Sequence, residues 1–297
     1  MESLPLVSAI VTTHNRFDLL QKAVDSIFSQ NYKNIEIIVV DDNSDKDSIA
    51  YLDKLQVDDR IKHIHISQEE SKGGNYARNK GIIESKGELI ALLDDDDEWL
   101  PDKIEKQVNC FNDETIGFAY CDYYTETDDG ERKKVVVDPI YQGDVSSLCF
   151  QKIFCTTSML MIRRKTLFDA GLFDLDLKYW QEYDLCIRLS AISRVAKVNE
   201  PLMVLRIFNN DGKRLSNKYT GWAYAVNYIE NKYRERIAKL LPQIRTEYCL
   251  MVLREKAVRC DKAGLKKEER KALFQIWKIT KKPKHFVKFV LNYPYYR

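Results

Sequence analysis

The chain has 297 residues, which suits one large α/β domain of about 200–250 residues with an appendage. Hydrophobic residues make up 44% and charged residues 31%, with only 11 Gly and 7 Pro, so a disordered or fibrous protein is excluded. The net charge is +2, no apolar run approaches the roughly 20 residues that span a bilayer, and no positively charged signal sequence begins the chain, which predicts a cytoplasmic globular protein.

The first hundred residues alternate between strand-like and helix-like segments. Short apolar runs rich in β-branched residues predict buried strands at 6–12, 35–40, 61–66 and 88–93. Apolar residues spaced by three and four predict a helix over about 18–28. A second helical stretch is predicted over about 75–85. Strands that alternate with helices predict a mainly parallel, doubly wound sheet with flanking helices.

The pattern changes after residue 100. A helix is predicted over 102–112 and a strand over 117–124, followed by a hairpin turn at Asp-Asp-Gly 128–130. Beyond residue 217 the spacing of apolar residues predicts helix throughout, with a new segment beginning at Pro242. We therefore expect an α/β domain over 1–216 and a helical C-terminal region over 217–297.

Four consecutive carboxylates, Asp94 to Asp97 in LLDDDDEWLP, directly follow a predicted buried strand. Ligands bind at the carboxyl ends of strands in open α/β sheets, and so many like charges are costly there unless a cation neutralises them. Mg²⁺ and Mn²⁺ take oxygen ligands and are usually held by one or two carboxylates together with substrate phosphates. The run therefore indicates a metal-bridged diphosphate, and the alternative is a solvated acidic turn.

A second acidic pair, Asp41 and Asp42, ends the strand IEIIVV. Carboxylates in this position can accept hydrogen bonds from ribose hydroxyls or from a base N–H, although a turn that caps the next helix is the alternative. Between the two acidic segments, GGNYARNKGI places Arg78 on a helix behind two glycines, where its guanidinium could pair with a phosphate.

These motifs, in the order AIVTTHNR, VVDDNS, GGNYARNKGI and LLDDDDEWLP, resemble the nucleotide-sugar-binding half of the family 2 glycosyltransferases, whose fold is called GT-A. The resemblance continues through TTSMLMIRRKTLFDAGLFD and YWQEYDLCIRL and covers roughly residues 5 to 216. It implies a Rossmann-like GT-A domain. The implied reaction is the metal-dependent, inverting transfer of a sugar from a UDP-sugar to a hydroxyl of a glycan or glycolipid, in bacterial surface-polysaccharide synthesis.

The resemblance also implies roles for individual residues. Thr12 and His14 match positions that line the nucleotide pocket, and Arg78 matches a basic residue near the nucleotide. Asp42 matches the acid that meets the uracil ring, with Asp41 beside it. Asp94, Asp95 and Asp96 match the DxD stretch that meets the diphosphate; Asp96 is the expected ligand of Mn²⁺ or Mg²⁺, assisted by Asp94, and Asp97 is an outer member.

The general base of the family lies in the acidic motif that precedes YDLCIRL. Glu182 stands where Asp is usual, and a carboxylate there removes the proton of the acceptor hydroxyl as that oxygen attacks the anomeric carbon. Asp184 is a competing candidate, and its alternative role is to place negative charge at a helix N-terminus.

Three other positions leave alternatives open. Trp180 would stack on the acceptor sugar or pack in the core, and Arg214 in KRLS would contact the diphosphate. Phe208 stands where many relatives carry His, and together with Glu182 this departure leaves open a non-catalytic subunit that binds sugar nucleotides. A sugar nucleotidyltransferase is a further alternative, but TTHNRFD lacks the Gly-rich phosphate loop that such an enzyme needs after its first strand.

The C-terminal tail carries a concentrated positive charge. Residues 266–297 contain ten Lys and Arg against two Glu, a net charge of +8. Apolar residues at helical spacing among these lysines predict an interfacial helix on an anionic bilayer, or else a helix packed on the catalytic domain with a solvated cationic face. No nucleic-acid partner is expected. The family implies a cytoplasmic location, peripheral to the inner face of the membrane.

Overall fold

The computed structural model describes residues 4–44, Leu52, 59–208 and 219–291. These residues form two compact units. The first contains residues up to 146, 154–177 and 181–208, and the second contains 147–153, 178–180 and 219–291. The predicted boundary at residue 216 lies outside the described residues.

One sheet runs through the first unit. Its strands are β1 (Val7–Thr13), β2 (Ile35–Asp42), β3 (Ile61–Ile66), β4 (Leu89–Asp94), β5 (Asp97–Trp99), β6 (Ile116–Thr127), β7 (Arg132–Val135), β8 (Met161–Arg163) and β9 (Arg194–Ile207). The strand order is β3-β2-β1-β4-β8-β6-β9-β5, and β7 pairs with β6.

The first four strands are parallel, as the sequence predicted. β1 lies between β2 and β4, so that Thr12 is opposite Val40 on one side and Asp94 on the other. Asp42 ends β2, one residue beyond the partner of Thr13. Because parallel strands end at the same edge of a sheet, the two acidic segments lie on either side of the end of β1.

The parallel pairing does not continue through the second half of the sheet. β8 is antiparallel to both β4 and β6, β9 is parallel to β6, and β5 is antiparallel to β9. A parallel strand needs a crossover connection, usually a helix. Residues 136–160, which lead into β8, contain 3-10 turns but no α-helix, so this strand enters in the antiparallel direction. The predicted hairpin turn at 128–130 joins β6 to β7.

The helices of the first unit are α1 (Phe17–Phe28), α2 (Gly74–Glu84), α3 (Lys103–Val108), α4 (Arg164–Asp169) and α5 (Gln181–Leu189). α1 and α2 agree with the prediction. The helix predicted over 102–112 is shorter, because a 3-10 turn follows it at 109–112.

Helix α2 packs on β1 and β2 at a glycine. A Cβ atom at Gly81 would lie 2.6 Å from Ile10 Cγ2 and 2.9 Å from Val40 Cγ2, and both of these side chains are buried. Since neither methyl group can move away freely, only glycine permits this close approach of helix and sheet.

We expect Gly81→Val to lower the free energy of unfolding by about 3 kcal/mol, because the added methyl groups overpack the interface. Urea denaturation followed by circular dichroism measures this loss. Ile83→Ala, on the exposed side of the same helix, serves as the control and should change stability by less than about 0.5 kcal/mol. Equal stability of Gly81→Val and the native chain would contradict the packing described here.

The second unit is helical in its described part after residue 219. Its helices are α6 (Tyr219–Lys232), α7 (Arg234–Lys239), α8 (Pro242–Lys262), α9 (Lys266–Thr280) and α10 (Pro283–Leu291). Pro242 begins α8, as predicted. Tyr233 interrupts the helical conformation between α6 and α7. Its ring packs edge-on against that of Phe150 in the same unit, with the ring centroids 5.9 Å apart. Among the described residues, no helix combines the length and the apolar character needed to cross a bilayer.

Candidate active site

The four aspartates after β4 do not share one environment. Asp94 and Asp96 are partly exposed, whereas Asp95 and Asp97 are buried. This alternation arises because β4 ends at Asp94 and β5 begins at Asp97, with Asp95 and Asp96 forming the turn between them. The run therefore alternates between partly exposed and buried positions.

Asp95 and Asp96 converge on the guanidinium of Arg16. Arg16 Nη1 donates to Asp95 Oδ1 at 3.1 Å and to Asp96 Oδ2 at 3.0 Å, and Thr13 Oγ1 donates to Asp95 Oδ2 at 2.8 Å. Burial raises the pKa of Asp95 to about 6, even though Arg16 and Thr13 favour the charged form. Two carboxylate oxygens thus already share one cationic nitrogen at this turn.

This oxygen pair fits a divalent cation in its chemistry. Mg²⁺ and Mn²⁺ prefer carboxylate oxygens, and they complete their coordination with substrate phosphates and water. Within the described ranges, no group of three or more His, Cys, Asp or Glu side chains could hold a metal ion. A metal at this turn would therefore depend on oxygens of the substrate.

Asp94 belongs to a different pair. Arg78 Nη2 donates to Asp94 Oδ1 at 2.5 Å, and the guanidinium lies 5.5 Å from the centre of the Phe173 ring. The helix that carries Arg78 begins after Gly73, whose φ of 90° favours glycine. A Cβ atom at Gly74 would lie 3.2 Å from Arg78 Nη1, so this glycine leaves room for the guanidinium.

Asp97 lies in the interior. It accepts a hydrogen bond from Ser158 Oγ at 2.5 Å, and the same hydroxyl accepts the backbone N–H of Asp94 at 3.0 Å. Burial and the nearby charges of Asp96 and Asp94 raise the pKa of Asp97 well above its ordinary value. Asp97 therefore ties the DxD turn to Ser158, away from the exposed carboxylates.

The end of β2 separates its two acids in the same way. Asp41 is fully buried; it accepts the backbone N–H of Ser44 at 3.0 Å and lies 2.7 Å from His65 Nδ1. Asp42 is 8% exposed, and its buried Oδ1 has no hydrogen-bond partner among the described residues. A buried acceptor without a partner is costly, so Asp42 has the character of a ligand-binding group.

His14 joins the end of β1 to the end of β2. Its Nδ1 lies 2.6 Å from the backbone oxygen of Asp42, and its Nε2 lies 3.2 Å from Asn15 Nδ2. Because a carbonyl oxygen can only accept, Nδ1 carries the proton and Nε2 accepts from Asn15. Thr12, partly exposed at the end of β1, lies between these groups and Asp94.

Glu182, the second residue of α5, is the predicted base. Thr157 Oγ1 donates to its Oε1 at 2.8 Å. Burial raises the pKa of Glu182, Arg78 opposes the rise and Asp94 adds to it. The predicted base and the Arg78–Asp94 pair therefore act on one another electrostatically, within one site at the carboxyl end of the parallel strands.

The family model for glycosyl transferase family 2 matches residues 8–170, which is more than half of the chain. The chain belongs to this family. The predicted enzyme class is confirmed: the chain carries a glycosyltransferase domain of this family.

Two relatives of this glycosyltransferase have named activities. The UDP-Glc:α-D-GlcNAc-diphosphoundecaprenol β-1,3-glucosyltransferase of Escherichia coli is 41% identical over 206 residues, covering 68% of this chain and 76% of the relative. The GalNAc(5)-diNAcBac-PP-undecaprenol β-1,3-glucosyltransferase of Campylobacter jejuni is 29% identical over 229 residues, covering 76% and 73%. The chain spans only 36% of the length of another relative, an uncharacterized glycosyltransferase.

A solved structure confirms the fold class. The mannosyltransferase of Pyrobaculum calidifontis, solved in complex with GDP-Man and Mn²⁺, superposes with a TM-score of 0.65 over 99% of this chain and 86% of its own. At 15% sequence identity the likeness shows the fold, which is GT-A with C-terminal helices.

The structure describes two of the three remaining predicted residues. Asp184 is fully buried and pairs with Arg188 at 2.8 Å on the next turn of α5, which favours its structural role. Trp180 is buried in the second unit, edge-on to Trp222 with ring centroids 6.1 Å apart, in keeping with core packing. Arg214 lies outside the described residues, so its predicted contact with diphosphate stays a prediction.

Sequence reasoning missed Arg16, Thr157 and Ser158. Arg16 stands in the motif AIVTTHNR, in which only Thr12 and His14 were predicted to belong to the site. A lone cation after two strand-end threonines, facing an acidic run, is the signal that could have suggested its pairing. Thr157 and Ser158 lie within the family-like TTSMLMI, but nothing local in that segment identifies their partners.

Proposed function

We propose that this glycosyltransferase moves a hexose from a UDP-sugar to a hydroxyl of a lipid-linked glycan, with inversion at the anomeric carbon, in the synthesis of a bacterial surface polysaccharide. The observation that carries the proposal is the assembly of Arg78, Asp94 and Glu182 in one electrostatic site beside the Asp95–Asp96 turn. A phosphate-binding cation, a metal-binding turn and a poised carboxylate are the groups that this chemistry requires.

The donor is argued from the end of β2. Asp42 Oδ1 is a buried acceptor without a hydrogen-bond partner among the described residues, and the N3–H of uracil would supply a donor. The name of the E. coli relative specifies UDP-Glc, which makes UDP-glucose the first donor to test. In this arrangement Asp41 supports the pocket from the interior, while Thr12 and His14 line it.

The acceptor is argued from the relatives. Both named relatives act on sugars linked through a diphosphate to undecaprenol. We propose an acceptor of the same class, a sugar hydroxyl on a polyprenyl diphosphate. Such an acceptor would bring the enzyme to the cytoplasmic face of the membrane as a peripheral protein.

Mn²⁺ or Mg²⁺ would be held by Asp96 together with Asp95 Oδ1, the oxygen that already shares a cation with Asp96. We therefore assign Asp94, the second predicted metal ligand, to orienting Arg78 instead. When bound, the metal neutralises charge on the diphosphate leaving group. Arg16 would then be available to the phosphates, and Arg78 would hold them from the other side.

Glu182 completes the reaction. Its carboxylate accepts the proton of the acceptor hydroxyl while that oxygen bonds to the anomeric carbon, and the bond from this carbon to the UDP oxygen breaks. Thr157 fixes one carboxylate oxygen at 2.8 Å, which leaves the other to face the acceptor. A single displacement of this kind inverts the configuration of the anomeric carbon.

The test is an assay of UDP release with UDP-glucose, Mn²⁺ and a GlcNAc-diphosphate lipid analogue. We expect UDP release that requires the acceptor, and a product whose new linkage is β by proton NMR. Binding of UDP-glucose without turnover for any UDP-hexose would support a non-catalytic subunit instead. An α-linked product would contradict the single displacement.

Asp42→Ala is expected to raise the KM for the UDP-sugar by about tenfold or more with little change in kcat, because the truncation removes a hydrogen bond from a charged group to the base. Steady-state kinetics at saturating acceptor measure both constants. Asp18→Ala, an exposed acid on α1, is the control and should behave as the native chain. An unchanged KM for Asp42→Ala would remove Asp42 from the donor pocket.

A further inference from the structure

Helix α10 presents an exposed apolar face. Phe286, Val287, Val290 and Leu291 are 43%, 50%, 47% and 66% exposed. Phe286 and Val290, like Val287 and Leu291, are four residues apart and therefore lie one above the other on the same side of the helix. A continuous apolar surface of this kind is unusual on a protein that has no partner for it.

The other side of α10 holds the helix in place. His285 is buried, and the ring of Phe289 lies 5.0 Å from that of Phe274 on α9. Phe289 also packs against a small core made of Ala257, Ala272 and Leu273. Phe286 lies at the margin of this packing, with its ring 5.0 Å from that of Trp277 on α9. The apolar face is therefore formed mainly by Val287, Val290 and Leu291, and its exposure does not come from a detached helix.

Cations lie beside this face. A cavity of about 640 Å³ is lined by Lys267, Arg270 and Lys271 on the first turns of α9, and by Phe274, Phe289 and Val290 on its apolar side. The Arg270 guanidinium lies 5.4 Å from the centre of the Phe289 ring. The cavity thus combines a positively charged edge with an aromatic floor.

The cations that line the cavity differ in their ion pairing. Lys271 pairs with Glu268 at 2.7 Å, whereas Lys267 and Arg270 have no carboxylate partner among the described residues. Lys284 and Lys288 add positive charge to α10 itself, and residues 266–297 carry +8 in total. The cavity therefore suits an anion that also brings an apolar portion.

We propose that α9 and α10 form a surface that docks on an anionic phospholipid bilayer, with the phosphate of one lipid headgroup seated in the cavity beside Lys267 and Arg270. The apolar face enters the boundary between headgroups and acyl chains, and the lysines meet the negative surface of the membrane.

The chemistry favours a bilayer over other occupants. A nucleic acid would satisfy the cations but leave the apolar face in water. A second copy of this chain would bring two segments of +8 together, and their repulsion opposes association. An anionic bilayer satisfies the charge and the apolar face at once.

The purpose of this docking surface, which is to hold the enzyme where a lipid-linked acceptor lies, rests on the proposed function. The docking itself does not. Vesicle flotation of the full chain without donor or acceptor therefore tests docking separately. We expect binding to phosphatidylcholine vesicles that contain about 30% phosphatidylglycerol, weak binding to pure phosphatidylcholine, and loss of binding at high salt.

Two double variants separate the contributions. Lys267→Gln with Arg270→Gln is expected to weaken vesicle binding on the order of 20-fold, at about fivefold for each lost cation. Val287→Ser with Leu291→Ser, both at exposed positions, is expected to weaken it about tenfold. Lys133→Gln with Lys165→Gln changes the net charge equally at exposed sites of the first unit and should bind as the native chain does.

The outcomes are distinct. If both test variants bind vesicles as the native chain does, or if the native chain binds neutral vesicles equally well, the proposal is wrong. If the apolar variant instead dissociates a dimer and leaves vesicle binding unchanged, the face is an interface between copies. UDP release with a short, water-soluble acceptor should be unchanged in every variant, so failure of docking and failure of the proposed function cannot be confused.

Discussion

Glu182→Gln is expected to lower kcat for sugar transfer by about 10²–10⁴-fold and to leave the affinity for UDP-sugar nearly unchanged. The amide keeps the shape of the side chain and can still accept the Thr157 hydroxyl, but it cannot take a proton from the acceptor. Steady-state assays of UDP release give kcat, and calorimetric titration with the UDP-sugar gives the donor affinity.

The pH profile provides a second readout for Glu182. Because the base must be deprotonated, activity is lost as pH falls through its pKa, and burial raises that pKa above the ordinary value of 4.5. Thr157→Val, which removes the hydrogen bond to Glu182, should reduce kcat by about tenfold. If Glu182→Gln retained native turnover, another group would have to be the base.

Asp96→Asn is expected to lower kcat/KM by about 10³-fold and to weaken Mn²⁺ binding, because it would remove the partly exposed carboxylate that we propose as a ligand of the diphosphate-bound metal. Kinetics at several Mn²⁺ concentrations measure both effects. A deficit that excess Mn²⁺ partly restores would support a role in metal binding.

The neighbouring aspartate supplies the matched control. Asp97→Asn changes the same residue type one position further on, where the carboxyl group is buried against Ser158. We expect its Mn²⁺ dependence to match that of the native chain. If the two variants lost activity and metal affinity equally, the division of the run into exposed and interior positions would have no functional meaning.

The parts of the site that follow from local sequence were predictable. A buried apolar run that ends in acids placed Asp42 and Asp94 at strand ends, and the structure brings both to the same edge of the sheet. Helix α2 with Arg78 was predicted in the segment between two of these strands. These features depend on patterns within short stretches of the sequence.

The remaining features depend on contacts across the sequence. Arg16 contacts Asp95 and Asp96, which are 79 and 80 positions away in the sequence. Its place after two strand-end threonines could suggest an acidic partner but does not identify these two residues. Asp97 looks like its three neighbours in the sequence, but it begins a strand that pairs opposite Leu205, and this distant pairing buries it. The antiparallel orientation of β8 likewise depends on its pairing with β4 and β6, which are distant in the sequence.

The C-terminal helices show the same division. Their amphipathic spacing was visible in the sequence, but the spacing left open whether the apolar residues meet a bilayer or pack on the catalytic domain. The packing of His285 and Phe289 decides which face of α10 stays exposed. The packing of α10 against α9 is therefore needed to tell which face of α10 is buried and which is available for docking.

The central claim is that the Asp95–Asp96 turn holds a divalent cation together with the diphosphate of a nucleotide sugar. Calorimetric titration of Mn²⁺ into the native chain and into Asp96→Asn, each with and without UDP, tests it most directly. Because binding linkage is reciprocal, we predict that UDP tightens Mn²⁺ binding at least about tenfold in the native chain and has no such effect in the variant. Equal UDP affinity with Mn²⁺ or with a chelator, together with the same Mn²⁺ affinity in both proteins, would contradict the account.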